Sequence, residues 1–192
     1  PRPAGMEPDE DLDAAPAGGP ALRANDSVVI PASPQQVFDT LLDPQTLAAI
    51  IPGCHDLVLE GENRYRADVT VGVGMIRARF EAKVALSELD PPHSLRLSGS
   101  GNSSMGSAQG QAKVRFVELE NGHTRLEYQY QVAVSGKVAA VGGRMLQGAS
   151  KVIIGQIFTR LSQRVSGQAI STGWWARLRA SLGALFGKGG AQ

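Results

Sequence analysis

The sequence has little of the material from which cross-links, metal sites and membrane spans are built. It contains one cysteine and three histidines in 192 residues, and aromatic residues make up only 5% of the chain. A single cysteine excludes a disulfide within the chain, and so few Cys and His residues argue against a metal centre. The apolar runs are far shorter than the roughly 18 residues that a transmembrane helix needs. We therefore expect no metal site and no membrane-spanning helix.

Acidic residues are missing from the C-terminal part of the chain. Residues 136–192 carry eight Lys and Arg and no Asp or Glu, whereas residues 1–135 carry 11 basic and 18 acidic groups. The net charge of the whole chain is only +1, which argues against a nucleic-acid-binding protein. The basic segment favours an anionic partner such as a phospholipid surface, but a solvated basic helix face would give the same pattern.

A folded domain is predicted over residues 26–165. Residues 1–25, rich in Pro, Gly, Ala and acidic residues, have no hydrophobic period and are predicted to be a disordered acidic arm. A short strand over residues 27–30 opens the domain. Ser33-Pro34 and Asp43-Pro44 each pair a capping residue with a first-turn proline, which predicts two short helices before Pro52-Gly53.

Apolar and polar residues then alternate along most of residues 64–134. Turn signals at residues 61–63, 90–92 and 121–122 divide this stretch into strands. The pattern predicts an antiparallel meander with one polar and one apolar face.

A long helix over residues 138–165 is predicted to cover the apolar face. Ile153, Ile157, Leu161 and Val165 recur at helical spacing, whereas Gly142 and Gly143 mark a candidate break. The order of strand, two short helices, meander and long helix predicts an α+β helix-grip fold, in which a curved sheet wraps around one long C-terminal helix.

Small residues on the apolar face predict an apolar cavity between sheet and helix. The larger side chains of Phe80, Phe116, Tyr128, Tyr130 and Met145 would form its walls. Tight packing of helix on sheet would explain the same small residues, and both interpretations stay open. The candidate ligand-binding residues are Val73, Phe80, Leu97, Met105, Ala108, Gly110, Ala112, Tyr128, Tyr130, Met145, Ile153 and Ile157.

The sequence offers no convincing catalytic group. Cys54 and His55 are adjacent, but neighbours in a strand point to opposite faces and cannot pair as thiolate and base. The run from Gly99 to Gly106 lacks the ending of a phosphate-binding loop and is predicted to be a flexible loop at the cavity mouth. We predict no catalytic residue and no metal ligand, so non-catalytic binding is favoured.

The C-terminal end is predicted to be an amphipathic helix over residues 174–187, after a flexible linker at 166–173 and before a tail at 188–192. An apolar stripe flanked by arginines suits the plane of a membrane interface, and a groove on a partner protein is the chief alternative. The predicted membrane-binding residues are Trp174, Trp175, Arg177, Leu178, Arg179, Leu182, Leu185 and Phe186.

Several short motifs are typical of one family. They are Ile51-Pro52-Gly53-Cys54, Leu89-Asp90-Pro91-Pro92-His93-Ser94 followed by Leu97-Ser98-Gly99, Gly110-Gln111-Ala112, Thr124-Arg125-Leu126, and the helix containing Gly136-Lys137-Val138 and Gly142-Gly143-Arg144. Together they resemble the CoxG family, named for the G subunit of carbon monoxide dehydrogenase and part of the START-like (SRPBCC) group of helix-grip proteins. The resemblance covers about residues 26–165.

The resemblance implies a non-catalytic accessory protein of carbon monoxide dehydrogenase or a related molybdenum hydroxylase. It implies a bound respiratory quinone (menaquinone or ubiquinone), no covalent cofactor, and a peripheral location on the cytoplasmic face of the cell membrane. Two alternatives remain: an adaptor that recruits the enzyme to the membrane without carrying a ligand, and an enzyme of the polyketide-cyclase type.

Deleting residues 168–192 should abolish binding to vesicles that contain anionic lipid. Each buried Leu or Phe contributes about 1.5–3 kcal/mol, so even two lost side chains lower the membrane partition coefficient about a hundred-fold or more. Flotation with phosphatidylcholine–phosphatidylglycerol vesicles measures this loss, and the double variant Trp174→Ala, Trp175→Ala should show an intermediate effect. Unchanged flotation of the deletion variant would disprove the anchor.

Overall fold

The structure, a computed structural model, describes residues 20–185, and the side chains as far as residue 167. The elements in chain order are β1 (Ala21–Ile30), α1 (Pro34–Leu42), α2 (Pro44–Ile50), β2 (Cys54–Gly61), β3 (Arg64–Val73), β4 (Ile76–Asp90), β5 (Ser94–Ser103), β6 (Gly106–Glu118), β7 (Thr124–Ser135), a 3₁₀ helix (Gly136–Val141) and α3 (Gly143–Leu185).

Within the described residues, seven strands form one antiparallel sheet in the order β1-β7-β6-β5-β4-β3-β2. Strands β2 to β7 are a meander, and β1 closes the sheet beside β7. The sheet curves around α3, which confirms the predicted helix-grip fold. No helix in residues 20–185 has both the length and the apolarity needed to cross a membrane.

The two short helices begin where their capping residues predict. The Ser33 hydroxyl accepts a hydrogen bond from the Gln36 amide at 3.3 Å. The Asp43 carboxylate accepts bonds from the Thr46 amide at 2.8 Å and from the Thr46 hydroxyl at 2.6 Å. Because these bonds satisfy amides of the first turn, each helix has a sharply defined start.

The first strand is longer than its sequence pattern predicts. It begins at Ala21 rather than residue 27, so residues 21–25 of the predicted arm belong to the sheet and pair with β7 from Ala133 to Gln129. Leu22 is buried there, and backbone pairing supplies the rest of the stabilisation without any alternation in the sequence. The arm's residues 1–19 lie outside the described residues.

The long helix differs from its prediction at both ends. It starts at Gly143 instead of residue 138, because Gly142 (φ +92°) separates it from the 3₁₀ helix. It then runs through residues 166–173 as far as Leu185, so the predicted linker is helical. No proline interrupts residues 143–185, and the backbone hydrogen bonds can therefore continue.

The predicted loop from Gly99 to Gly106 is also wrong. Residues 99–103 belong to β5, in which residues 99–102 pair with both β4 and β6 and Ser103 pairs with β6, so that only residues 104–105 form the turn. The Ser103 hydroxyl accepts from the Met105 amide at 3.1 Å across that turn. Glycine and serine made the run look irregular, but strands on both sides satisfy its backbone groups.

Apolar residues inside the sheet form two clusters. The first, called here the filled core, lies beneath α1 and α2 and contains Ile30, Ala32, Val37, Phe38, Ile50, Leu95, Val114, Phe116, Leu126, Leu161 and Val165. The second, called the upper cluster, joins β1, β3, β7, the 3₁₀ helix and the start of α3 and contains Leu22, Val73, Val134, Val138 and Leu146. The space beside the upper cluster is the candidate site.

Replacing Asp43 with Ala should lower the free energy of unfolding by about 1 kcal/mol at pH 7 because α2 loses its N-cap. The hydrogen bonds to Thr46 lower the pKa of Asp43 below its usual 3.8. A lowered folded-state pKa contributes stability above the unfolded value, and this is lost as the pH falls through the folded-state pKa. The difference between wild type and Asp43→Ala should therefore shrink as the pH falls below the unfolded-state pKa and vanish once it is below the folded-state pKa.

Urea unfolding at a series of pH values measures this difference. Asp39→Ala is the control, because Asp39 lies in the middle of α1 and bonds only the exposed Gln35 side chain. It should change stability by less than about 0.5 kcal/mol. A deficit in Asp43→Ala that persists unchanged at low pH would contradict the capping role.

Candidate ligand cavity

A cavity of about 420 Å³ lies between the sheet and α3. Its walls come from the inward faces of β3 to β7, the start of β1, the 3₁₀ helix and one face of α3. Apolar side chains dominate the lining, among them Leu22, Val69, Val71, Val73, Ile76, Ala78, Phe80, Ala82, Val84, Leu97, Ala108, Ala112, Val132, Val134, Val138, Leu146, Ala149 and Ile153. Such a chamber suits an apolar small molecule.

Small residues at the centre of the sheet keep this space open. Gly99 and Gly110 face each other across β5 and β6, and Gly101 pairs with Ala108. A Cβ on Gly110 would lie 2.5 Å from the Gln131 carbonyl oxygen and 2.6 Å from Val132 Cγ2. Glycine is therefore required at position 110, and the cavity floor is bare backbone. Of the two interpretations of the small residues, the structure supports a cavity.

Eight of the twelve predicted ligand-binding residues line the cavity. They are Val73, Phe80, Leu97, Ala108, Gly110, Ala112, Tyr130 and Ile153. All eight were predicted to point inward, either from the period-two alternation of the strands or from the helical spacing of α3. Contact with a ligand remains a prediction for all of them.

The other four predicted residues lie elsewhere. The Tyr128 ring packs on Phe158 with 5.1 Å between centroids, and Ile157 also joins the filled core. Burial is the main cause that raises the pKa of Tyr128. Met105 packs against the upper cluster, and Met145, which is 49% exposed, lies in the groove between α3 and β3 beside the cavity. Phe116, expected as a wall, instead contacts Phe38 in the filled core, with 5.4 Å between ring centroids.

The surface of the cavity is almost entirely apolar, although two hydroxyl-bearing side chains border it. Tyr130 on β7 and Ser150 on α3 both line it, and their hydroxyl oxygens are 3.0 Å apart. Ser100, Gln109 and Gln111 also border the cavity, but strand alternation directs their side chains to the convex face, where they line a polar groove. Sequence reasoning missed Ser150. Its position three residues before Ile153 places it on the same apolar face of α3, and this spacing could have identified it as a lining residue.

The cavity continues into a groove between α3, β3 and the turn before β2. Val69, Val71, Val73, Ala149 and Ile153 line both spaces. At or beside this opening, Met75 is fully exposed, while Val152 is 60% and Met145 49% exposed. The opening therefore has an apolar rim that water solvates poorly.

The turn at the groove explains why the Pro52-Gly53 motif needs glycine. Gly53 has φ +77°, and a Cβ there would lie 2.1 Å from the Thr70 carbonyl oxygen. The Thr70 amide donates to the Gly53 carbonyl at 2.9 Å. This bond holds the end of α2 against β3 at the mouth of the groove.

The candidate nucleophile at Cys54 is not activated by its neighbours. Its thiol donates to the Asp56 carbonyl at 3.4 Å, and burial is the main cause that raises the pKa of Cys54. His55 Nε2 instead lies 2.8 Å from the Thr70 hydroxyl, so the two side chains do not form a pair. Among the residues that the structure describes, no three His, Cys, Asp or Glu are grouped to hold a metal ion.

The predicted membrane-binding residues fall outside the described side chains. The backbone of residues 174–185 continues α3, and Phe186 lies beyond the described range. Their role in membrane binding stays a prediction.

Comparison with known families identifies the chain's relatives. The sequence model of the CoxG family, the G subunit of carbon monoxide dehydrogenase, matches residues 27–166. The chain belongs to the CoxG family. This confirms the resemblance carried by the motifs, and the family's name denotes a component that accompanies the dehydrogenase. No curated protein matches the chain.

Solved structures share the fold of this CoxG-family chain. A conserved protein from Geobacillus kaustophilus has a TM-score of 0.73 at 29% identity, covering 76% of this chain and 96% of its own. A START superfamily protein from Mycobacterium smegmatis has a TM-score of 0.59 at 14% identity, covering 76% and 98%. An aromatase/cyclase from Streptomyces sp. R1128 has a TM-score of 0.53 at 15% identity, covering 78% and 93%. The last two show the START-like fold alone.

Filling the cavity with Ala108→Leu should weaken binding of an apolar probe at least about ten-fold without lowering the melting temperature, because the added carbons occupy empty space rather than packed core. Titration with N-phenyl-1-naphthylamine, whose fluorescence rises in apolar sites, measures the affinity. Ala85→Leu, the same change on the convex face, should leave the affinity unaltered. Equal probe affinity in Ala108→Leu and wild type would show that the probe does not use the cavity.

Proposed function

We propose that this CoxG-family protein is a non-catalytic, membrane-associated carrier of a respiratory quinone. It would hold menaquinone or ubiquinone in the cavity and link carbon monoxide dehydrogenase, or a related molybdenum hydroxylase, to the membrane quinone pool. The observation that carries the proposal is an apolar cavity in a chain of this family.

The cavity supports an isoprenoid ligand by its chemistry. An apolar lining of Val, Leu, Ala and Phe side chains gains from desolvation of a hydrocarbon tail but offers nothing to a charged substrate. From β7 to β3 the lining crosses four strand spacings, or about 19 Å along the curve. A headgroup with the first part of a tail fits this length, and the rest of a longer tail would leave through the groove.

The opening of the cavity and the basic C-terminal segment support the proposal that the protein binds at a membrane surface. The exposed Met75, Met145 and Val152 give the rim an apolar surface, and α3 carries six of the eight basic residues that follow residue 136. Anionic headgroups would attract those charges, while apolar side chains enter the interface. A peripheral position on the cytoplasmic face would let a quinone pass between bilayer and cavity without crossing water.

Cyclase-type catalysis receives less support from the site. Apart from Tyr130 and Ser150, the described side chains directed into the cavity are apolar, which leaves no acid–base pair. An adaptor would need no ligand at all. Extraction of the purified protein therefore distinguishes the adaptor from the carrier, because only the carrier should contain a bound ligand.

Protein purified from its native membranes should yield a stoichiometric isoprenoid quinone on organic extraction and mass spectrometry. Ala108→Leu, purified in parallel, should yield less than about a tenth of that amount, since its cavity has lost the volume. Ala85→Leu should yield as much as wild type. Absence of quinone from the wild type, also after incubation with quinone-loaded vesicles, would reject the carrier in favour of the adaptor.

A further inference from the structure

Basic side chains lie around the point where the N-terminal part of the chain enters the sheet. The Pro20 carbonyl accepts a hydrogen bond from the Val134 amide at 3.3 Å, next to the end of β7. Lys137 follows three residues after Val134, on the 3₁₀ helix. The segment formed by residues 1–19 therefore joins the folded domain near a cationic group.

Two further cations lie on the side of α3 that meets the first residues of β1. The Gln147 side chain donates to the Arg23 carbonyl at 3.1 Å, which holds this side of the helix against β1. Arg144 lies three residues before Gln147 and Lys151 four residues after it, so both flank this contact on the same side of α3. We call the three residues Lys137, Arg144 and Lys151 the basic patch.

The basic patch has no acidic partner in the folded domain. Its three side chains are exposed, and among residues 20–167 none of them forms an ion pair with Asp or Glu. No acidic residue occurs in the sequence after residue 135. An exposed group of like charges attracts an anionic partner.

The segment that enters beside the patch carries the complementary charge. Residues 1–19, called here the acidic arm, contain one basic and five acidic residues, the latter being Glu7, Asp9, Glu10, Asp11 and Asp13. The last of these precedes Pro20 by seven residues, a length of chain that reaches up to about 25 Å. Arg144 and Lys151 are two helical turns apart, about 10 Å along the axis. The acidic arm is therefore long enough to reach both.

We propose that the carboxylates of the acidic arm dock on the basic patch and compete there with anionic lipid. The proposal rests on the membrane association proposed above and adds its regulation: docking of the arm lowers the affinity for a bilayer, and release of the arm raises it. Arm and patch belong to one chain, which places the carboxylates at an effective concentration on the order of millimolar. They can therefore compete although each exposed ion pair is weak.

The position of the patch places this competition at the opening of the cavity. Arg144 and Lys151 directly precede Met145 and Val152, the two exposed apolar residues that α3 contributes to the groove. A bilayer that meets the apolar rim would also meet the patch, where anionic headgroups would replace the carboxylates of the arm. The arm thus controls access of the membrane to the face through which a ligand would pass.

Neutralising the acidic arm tests the competition in a full-length chain. The neutral-arm variant carries Glu7→Gln, Asp9→Asn, Glu10→Gln, Asp11→Asn and Asp13→Asn. Its partition coefficient on phosphatidylcholine–phosphatidylglycerol vesicles, measured by flotation at low ionic strength, should be at least about ten-fold above that of wild type, because each freed basic residue strengthens binding about five-fold. Vesicles of phosphatidylcholine alone should show no gain.

A second pair of variants separates docking from the change in net charge. In an Arg144→Gln, Lys151→Gln background, neutralising the arm should raise the partition coefficient less than about three-fold, since little is left to shield. Arg160→Gln, Arg164→Gln is the matched control. It removes the same charge from α3 at least nine residues beyond Lys151, and the full gain should persist there. An equal gain in both backgrounds would show an effect of net charge alone and would overturn the proposal.

Carbodiimide cross-linking detects the docking without lipid, because the reagent joins a carboxylate directly to a lysine amine. Mass spectrometry of the full chain should find bonds from the acidic arm to Lys137 and Lys151 but not to Lys83, which lies on the convex face. Arm cross-links to Lys83 as frequent as those to the patch would contradict a defined docking site.

The outcomes distinguish this proposal from the membrane association on which it rests. If wild type binds anionic vesicles and the neutral-arm variant binds them no better, the competition is wrong while the membrane association stands. If neither protein binds these vesicles, the membrane association and the competition fail together.

Discussion

One helix is too narrow to cover a sheet of this width, and the organisation of the interior follows from that mismatch. Seven strands at about 4.8 Å spacing span roughly 29 Å, whereas a helix with its side chains is about 10 Å across. Curvature of the sheet brings its edges towards α3 but cannot remove the excess volume. The chain fills one end of the concave face with α1 and α2. The other end receives no such insertion, and there the cavity remains.

The residues of the sheet match this division. Phe116, Leu126 and Leu95 face the short helices and pack with Phe38, whereas glycine and alanine face the open part. Stability is concentrated in the filled core, where loss of a large side chain would leave a costly void. The cavity region can thus stay lightly packed without endangering the fold. The cavity is the part of the concave face that the filled core does not occupy.

The convex face of the sheet has no covering layer among the described residues, and polar side chains protect it instead. Glu127 is only 4% exposed, and it lies between Arg115 at 3.6 Å and Arg125 at 3.0 Å. Lys83, Gln109 and Gln111 continue this polar surface towards β4. Among the described residues, most large apolar side chains therefore point inward or lie at the rim of the opening, with Val29 and Leu59 as exposed exceptions. This division leaves an apolar chamber on the concave side of the sheet and a surface suited to water on the convex side.

The sequence alone determined the fold class, the starts of the two short helices and the residues of the meander that point inward. The helix starts depend on local capping, and the inward residues follow from period-two alternation. The family also followed from short motifs whose glycines meet local backbone requirements, such as Gly53. Only the tertiary structure decided which inward residues border the cavity. Tyr128 and Tyr130 share a strand and a face, yet one lies in the filled core and the other in the chamber, because the short helices and α3 pack over them differently. The same holds for residues 21–25 and 99–103, whose strand structure comes from hydrogen bonds to neighbouring strands of the sheet rather than from their own sequence pattern. Backbone pairing by itself does not require alternation of apolar and polar side chains in the segment that is paired.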